Sequence, residues 1–313
     1  MWIGIDIGGT AIKSGMVAAD GRILARGGFP FDREMDFDAL LRALVRTCRD
    51  LERKAGGCAG GVGIAIPGFA DPEDGTVIDG AGNVPVLRGR RLPSELAARI
   101  GIPVFIQNDG VAATVGEQQF GAGRHFRRFV LVTIGTGIGG AVAIDGRIVA
   151  GSRGEPPELG AMVLDAAGPL NAAGLPGTFE HYACASAFLA AYRQCGGKTE
   201  GLGVADLFAR AGVDGSAAAA IDAVCRRIAQ ALGGLVNALN LEACLIGGGV
   251  AAAGRPLVDG VNAHLADFTW PLLCRNVRVV PAETGNDAGL LGAAWLAAQH
   301  IAAPTPKALT ERV

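Results

Sequence analysis

The pattern that most constrains this chain is a strand, glycine turn and strand, written twice. The first copy is Ile3-Gly4-Ile5-Asp6-Ile7-Gly8-Gly9-Thr10-Ala11-Ile12-Lys13, an apolar run with one acid, broken by two glycines and a threonine and resumed as far as Val17. The second, Phe129 to Ile144, repeats that grammar around Gly135-Thr136-Gly137 about 130 residues later. Two such units predict two related halves, each offering one turn to a nucleotide lying between them. A tight turn at Gly8-Gly9 leaves backbone N–H groups unpaired at its tip, and these, with Thr10 and Lys13 nearby, suit a phosphate chain. Asp6, just ahead of the turn, can hold Mg²⁺ directly or through water. Taken alone, the first stretch reads equally well as a glycine-rich hairpin that binds nothing. The echo at 129–144, and a third turn at Gly247-Gly248-Gly249 after the apolar run Ala243 to Ile246, argue against three unrelated hairpins.

The 313 residues suffice for two domains with two cores, and a chain half hydrophobic and 19% charged is globular rather than disordered. Its net charge of −2 offers no basic field for nucleic acid, and the doublets Arg90-Arg91 and Arg127-Arg128 read as solvated surface. Seven cysteines are scattered without CxxC spacing, which predicts reduced, mostly buried thiols in a cytoplasmic protein. Asp6 interrupts the first apolar run, so no secretory signal is expected. No apolar run reaches the roughly 18 residues of a membrane span, so no membrane partner is expected.

Along the chain, residues 2–7, 12–18 and 22–29 read as a three-stranded meander. Residues 36–54 have helical spacing, with Asp36 as cap and Gly56-Gly57 as stop. A buried strand at 61–66, a polar loop at 71–82, a helix at 93–100 and a strand at 103–106 follow. Gln107-Asn108-Asp109 sits at that strand's end, ahead of a helix at 110–119, which is where open α/β sheets place reactive groups. After the 129–144 hairpin, residues 152–180 show little periodicity, and a loop of that length is more often functional than idle. Helices are predicted over 180–193, 216–239, 255–268 and 287–299, the last amphipathic, with strands at 243–246 and 277–280. The tail from Pro304 is expected to fray.

These stretches resemble the ROK family of sugar kinases and repressors, within the hexokinase–actin–Hsp70 fold superfamily. The matching motifs are Asp6-Ile-Gly-Gly-Thr10 with Lys13, Gly63-Ile-Ala-Ile-Pro-Gly68, Asn83-Val-Pro85, Asn108-Asp109, Gly116-Glu117 and Gly121-Ala-Gly123. They continue with Gly135-Thr-Gly-Ile-Gly-Gly140, Glu158-Leu-Gly160, Glu180, Gly247-Gly-Gly249 and Gly292-Ala-Ala-Trp295, in the family's order. Each motif is weak and the ordered set is strong. The resemblance implies a two-domain actin-like, ribonuclease H-like α/β ATPase fold with an interdomain cleft, divided as 1–109 plus 298–313 and 110–297. It implies an ATP- and Mg²⁺-dependent kinase of a hexose hydroxyl, the C6 one of glucose, N-acetylglucosamine or a related sugar, acting as a cytoplasmic homodimer. Gly8, Gly9, Thr10 and Lys13 match the family's first phosphate turn, with Asp6 beside it for Mg²⁺. Gly135, Thr136 and Gly137 match the second, and Gly247, Gly248 and Gly249 the turn near the adenosine. Gly68, Asn83, Asn108, Asp109, Glu158 and Glu180 match the sugar site, where Asp109 is the catalytic base. A carboxylate there suits the chemistry, because a sugar hydroxyl is a poor nucleophile at neutral pH until its proton is taken. Read without the family, Asn108-Asp109 is a helix N-cap, and Glu158 and Glu180 are solvated carboxylates near helix starts.

The chain departs from the family between 158 and 180. The family places a His and three Cys there as a zinc site; this chain has Ala161, Asn171, Ala173 and Thr178 at those positions. No structural zinc is therefore expected. The missing His also touches the sugar in the family, so the pocket is altered on that side. Pro156, Pro157, Pro169 and Pro176, and an apolar cluster of Leu164, Leu170, Leu175 and Phe179, are expected to hold the loop instead. Two other readings stand beside the kinase. A sugar-responsive repressor of the family would carry a helix-turn-helix domain ahead of the first turn, and with Asp6 as the sixth residue none is expected. A non-catalytic sugar-binding protein is argued against by Asp109 and both phosphate turns.

Overall fold

The computed structural model describes residues 1–302, and the tail expected to fray from Pro304 lies outside the described residues. The first stretch of chain forms β1 (Trp2–Ile7), β2 (Ala11–Val17), β3 (Ile23–Pro30), α1 (Phe37–Ala55), β4 (Val62–Ile66), β5 (Phe69–Ala70), β6 (Val77–Asp79), α2 (Leu92–Ile100), β7 (Val104–Asn108) and α3 (Asp109–Phe120). The second forms β8 (Phe129–Ile134), β9 (Ile138–Ile144), β10 (Arg147–Ile148), α4 (Phe179–Ala183), α5 (Ala185–Gln194), α6 (Val204–Arg210), α7 (Gly215–Leu239), β11 (Ala243–Gly247), α8 (Arg255–Leu265), α9 (Pro271–Cys274) and β12 (Arg278–Pro281). The last helix is α10 (Ala288–Ala302). Among the described residues, no helix is long and apolar enough to cross a membrane.

The chain divides into two compact units. The first holds residues 1–120, 150–156 and the chain from Asp287, so α3 and α10 belong to it whole. The second holds residues 121–149 and 157–286. The boundaries expected at 109/110 and 297/298 fall instead inside helices that pack with the first unit.

The echo in the sequence is an echo in topology. The first sheet has the order β3-β2-β1-β4-β7, and the second β10-β9-β8-β11-β12. In each, a hairpin meander supplies three antiparallel strands, and two parallel strands are added beside its first member. Both units are thus α/β, with sheets of the same order and sense.

In the first unit, the alternation of β1 sends Ile3, Ile5 and Ile7 toward Leu40, Leu41, Leu44 and Leu51 of α1. Asp36 caps α1 by accepting the Ala39 N–H at 2.7 Å, and Gly56 ends it in the left-handed conformation at φ 68°. The other sheet face carries Gly4, Gly63 and Ala65, and there α10 approaches the backbone. A methyl at Gly4 would fall 1.9 Å from the Leu290 carbonyl oxygen, and one at Gly63 1.9 Å from that of Ala293. On the α3 side, a methyl at Gly116 would lie 2.3 Å from the Ala288 oxygen. The expected amphipathic helix is therefore closed in on several sides over its first two turns, Ala288 to Ala294 being buried without a break.

In the second unit, Val130, Val132 and Ile134 share a core with Phe179, Phe188, Ile228 and Leu232. Asp214 caps α7 by accepting the Ser216 and Ala217 N–H groups, and Asn240 closes the helix in the left-handed conformation. The single helix expected over 180–193 is two. Cys184 is extended, with ψ 171°, because the Ala185 N–H leaves the helical pattern to bond Gly135 O at 2.8 Å. All seven cysteines are free. Burial pushes the Cys48, Cys225 and Cys244 thiols up to about 12, whereas Cys58 and Cys195 are exposed.

Candidate active site

In both units the candidate groups collect where parallel strands end. In the first unit, the Gly8 N–H closes the turn on Ala11 O at 3.1 Å and leaves Gly9 and Thr10 at its tip. Asn83 lies directly against this turn: a methyl at Gly9 would sit 3.0 Å from Asn83 Cβ. Asp6 and Lys13 are register partners across β1 and β2, with Lys13 exposed and Asp6 half-buried. The Asp6 carboxylate shares a sheet face with Gly4 and reaches the start of α10, 3.1 Å from where a Gly289 Cβ would stand. Burial pushes the Asp6 carboxyl above its ordinary value, and the Lys13 charge opposes the shift.

Two residues beyond the end of β4, Gly68 is held at φ 89°, where a methyl would meet Asp79 O at 2.1 Å. Its carbonyl accepts from Asn108 Nδ2 at 3.0 Å. Asn108 Oδ1 in turn accepts the Val111 N–H at 3.0 Å, so the helix-cap reading of this residue is realised. Asp109 opens α3 half-buried, with Oδ1 accepting from the Gly110 N–H at 2.7 Å. Asn108 and Asp109 thus stand at the end of β7, beside the end of β4, with which β7 pairs from Val62↔Val104 to Ile66↔Asn108.

In the second unit, the turn after β8 is closed by the Gly135 N–H on Gly137 O at 2.9 Å, with Thr136 exposed at its tip. The turn after β11 packs on it: Gly248 is held at φ 82°, and a methyl there would fall 2.5 Å from Ile134 O. Among the described residues, nothing beyond the chain neighbours stands within 4 Å of where a Cβ would sit on Gly135 or Gly249, so both backbones face open space that a ligand can approach. Glu158 and Glu180 are exposed. Glu180 Oε2 accepts the Ile138 N–H at 2.9 Å, which ties this acid to the residue after the second glycine turn.

The segment from Glu158 to Glu180 is a small hydrogen-bonded strap. Leu164 and Asp165 both donate N–H groups to Gly177 O, Gly177 donates to Pro169 O, and bridges pair Val163 with Thr178 and Leu170 with Pro176. Two of the four altered zinc positions carry hydrogen bonds of their own. Asn171 Oδ1 accepts the Ala173 and Leu175 N–H groups, and Thr178 Oγ1 caps α4 through the His181 N–H. Among the described residues, no group of three or more His, Cys, Asp or Glu is placed to hold a metal ion. The donor set does not fit zinc, whose structural sites use Cys and His. The apolar cluster expected here is only half present. Phe179 is buried and Leu164 packs on the core, but Leu170 is 71% exposed and Leu175 37%. Backbone bonds across the strap consume its polar groups and point those two side chains outward.

Residues 2–300 match the ROK family. The chain belongs to the ROK family. Among ROK relatives, it is 34% identical to a glucokinase of Thermotoga maritima, over 96% of this chain and 98% of that one. It is 30% identical to an N-acetyl-D-glucosamine kinase of Yersinia enterocolitica, over 95% and 99%. It also resembles the crystal structure of a ROK glucokinase from Streptomyces griseus in complex with glucose and AMPPNP. That likeness has a TM-score of 0.82 and 28% identity, covering 95% of this chain and 99% of the other.

Proposed function

We propose that this ROK-family sugar kinase transfers the γ-phosphate of ATP to the C6 hydroxyl of a hexose, glucose first and N-acetylglucosamine second. The observation that carries this reading is the pair of glycine turns on sheets of the same order. One lies beside Asp6, Lys13 and Asn83, and the other is followed by Ile138, whose N–H donates to Glu180. The names of the Thermotoga and Yersinia relatives support the choice of sugars.

In this reading, the Gly8-Gly9-Thr10 turn with Lys13 and the Gly135-Thr136-Gly137 turn bind phosphate oxygens through backbone N–H groups, hydroxyls and one ammonium. Gly247 to Gly249 take the adenosine side, where Gly249 leaves room for a ligand to approach. A carboxylate beside a phosphate turn fits Mg²⁺, so Asp6 would hold it directly or through water, and the ion would supply positive charge against that of the phosphates. Asn83, Asn108, Glu158 and Glu180 orient sugar hydroxyls, with the Gly68 carbonyl fixed by Asn108. Asp109 accepts the C6 hydroxyl proton as that oxygen attacks the γ-phosphorus, and ADP departs.

A coupled ADP-release assay tests this across hexoses and hexosamines, with ATP and polyphosphate as alternative donors. Turnover with ATP and glucose or N-acetylglucosamine is the expected result. No turnover with any sugar overturns the reading.

A further inference from the structure

The helix that carries Glu180 has only five residues, far too few to hold a shape unaided. A closed ring of contacts fastens it from outside. Tyr182 Oη donates to Asp165 Oδ2 at 3.2 Å. The Arg227 guanidinium lies over the Tyr182 ring, 4.5 Å from its centroid. Arg227 Nη1 donates to Gln230 Oε1 at 3.0 Å, and Gln230 Nε2 donates to Leu164 O at 3.0 Å. Leu164 precedes Asp165, which closes the ring.

The ring joins a weak element to a strong one. Arg227 and Gln230 lie about one turn apart on α7, a helix of 25 residues capped at both ends. Asp165 belongs to the strap, and Tyr182 to α4, the short helix that follows it and carries Glu180. The backbone is moulded on the phenol: a methyl at Gly168 would fall 2.6 Å from Tyr182 Oη. Desolvation, and then the Asp165 carboxylate, raise the Tyr182 hydroxyl above its ordinary value, so it remains a donor across the working pH range.

We propose that Tyr182 and Arg227 are positioning residues for Glu180: they lock the strap to α7 and so keep its carboxylate on the Ile138 N–H, aimed for sugar hydroxyls. This rests on the sugar-kinase reading above. Neither residue is among those assigned to the sugar or the phosphates, and both act through Glu180, so their loss should weaken sugar binding rather than the chemical step.

The test is steady-state kinetics of full-length Tyr182→Phe, Arg227→Ala and Arg227→Lys beside the unaltered protein. Arg227→Ala should raise the sugar KM about tenfold, the worth of one good charge-assisted contact. The KM for ATP and kcat should stay within about twofold, because the phosphate turns and Asp109 are untouched. Arg227→Lys should recover part of the loss, because an ammonium still sits over the ring. Tyr182→Phe keeps the ring and the cation contact, so it tests the Oη–Asp165 bond in a folded protein even where Arg227→Ala misfolds. A merely structural role would reduce the active fraction and hence kcat, with the sugar KM unmoved. An active parent with unshifted sugar KM in Tyr182→Phe and Arg227→Lys overturns the ring alone. A parent inert with every sugar overturns the kinase reading and the ring's role with it.

Discussion

The Glu180 carboxylate takes the Ile138 backbone N–H at 2.9 Å, so an acid assigned to the sugar is anchored one residue beyond a glycine turn assigned to phosphate. Gly137 makes room for that bond, since a methyl there would fall 2.6 Å from Glu180 Oε2. The Glu180 side chain is flexible at that end, so Gly137→Ala should displace it without unfolding the protein. The expected outcome is a rise in sugar KM of about tenfold, the scale of one lost charge-assisted hydrogen bond. Glu180→Gln should change the sugar KM in the same direction. A Gly137→Ala enzyme with the parent's KM would show that the anchored position of Glu180 is not the one used.

Asp109 stands at the end of β7 as the first residue of α3. Asp109→Asn is nearly isosteric and keeps an acceptor for the Gly110 N–H, so the local fold should persist. Turnover should fall by roughly 10²–10⁴, the usual contribution of a positioned general base. Sugar binding, measured by calorimetry, should be largely retained. Near-full turnover in this variant would remove Asp109 from the mechanism.

How much of this was legible depended on how local its cause was. The Asp36 cap, the Gly56 stop and the strand-turn-strand echo are written in adjacent residues, and the structure has them where the sequence puts them. The burial of α10 is not local. Its apolar pattern looks amphipathic until Gly4, Gly63 and Gly116, scattered over more than a hundred residues, are seen to admit it to the backbone. The break at Cys184 depends likewise on a distant acceptor, Gly135 O. The short helices α6 and α9 and the small β5–β6 hairpin escaped because each is too brief to show a period. Among the candidate site residues, the position of Asp109 directly after a strand and at the start of a helix was legible. Tyr182 and Arg227 were not, because 45 positions separate them and neither carries a motif.

Asp6 should make the folded chain less stable at neutral pH than an uncharged residue would. Burial raises its carboxyl above the ordinary 3.8 in the folded state. Below that value the folded and unfolded chains are both protonated, and the group is neutral with respect to stability. As the pH rises toward the folded value, the unfolded chain ionises first, and stability falls until the folded carboxyl ionises too. Asp6→Asn lacks this penalty. Its melting temperature should therefore gain on the parent between pH 4 and pH 7, while turnover drops through loss of the carboxylate assigned to Mg²⁺. A difference in melting temperature that shrinks over this interval would contradict the assignment of burial as the dominant cause.

The strap from Glu158 to Glu180 should hold its shape without zinc. Ala161, Asn171, Ala173 and Thr178 occupy the family's four ligand positions, and two of them work instead as hydrogen-bonding residues. Thr178 is the informative one, because its Oγ1 caps the short helix that carries Glu180. Thr178→Ala removes that acceptor and should cost about 1 kcal/mol of stability, the typical worth of an N-cap. Because the cap also sets the direction of α4, the sugar KM should rise while the KM for ATP stays. Metal analysis of the purified protein should find no stoichiometric zinc, and a strong chelator should leave the melting temperature unchanged. Zinc bound at one equivalent, or melting that falls on chelation, would mean that the strap recruits ligands other than these four positions. Cys184 and His181, the Cys and the His that follow the strap in sequence, would then be the first to replace by Ala.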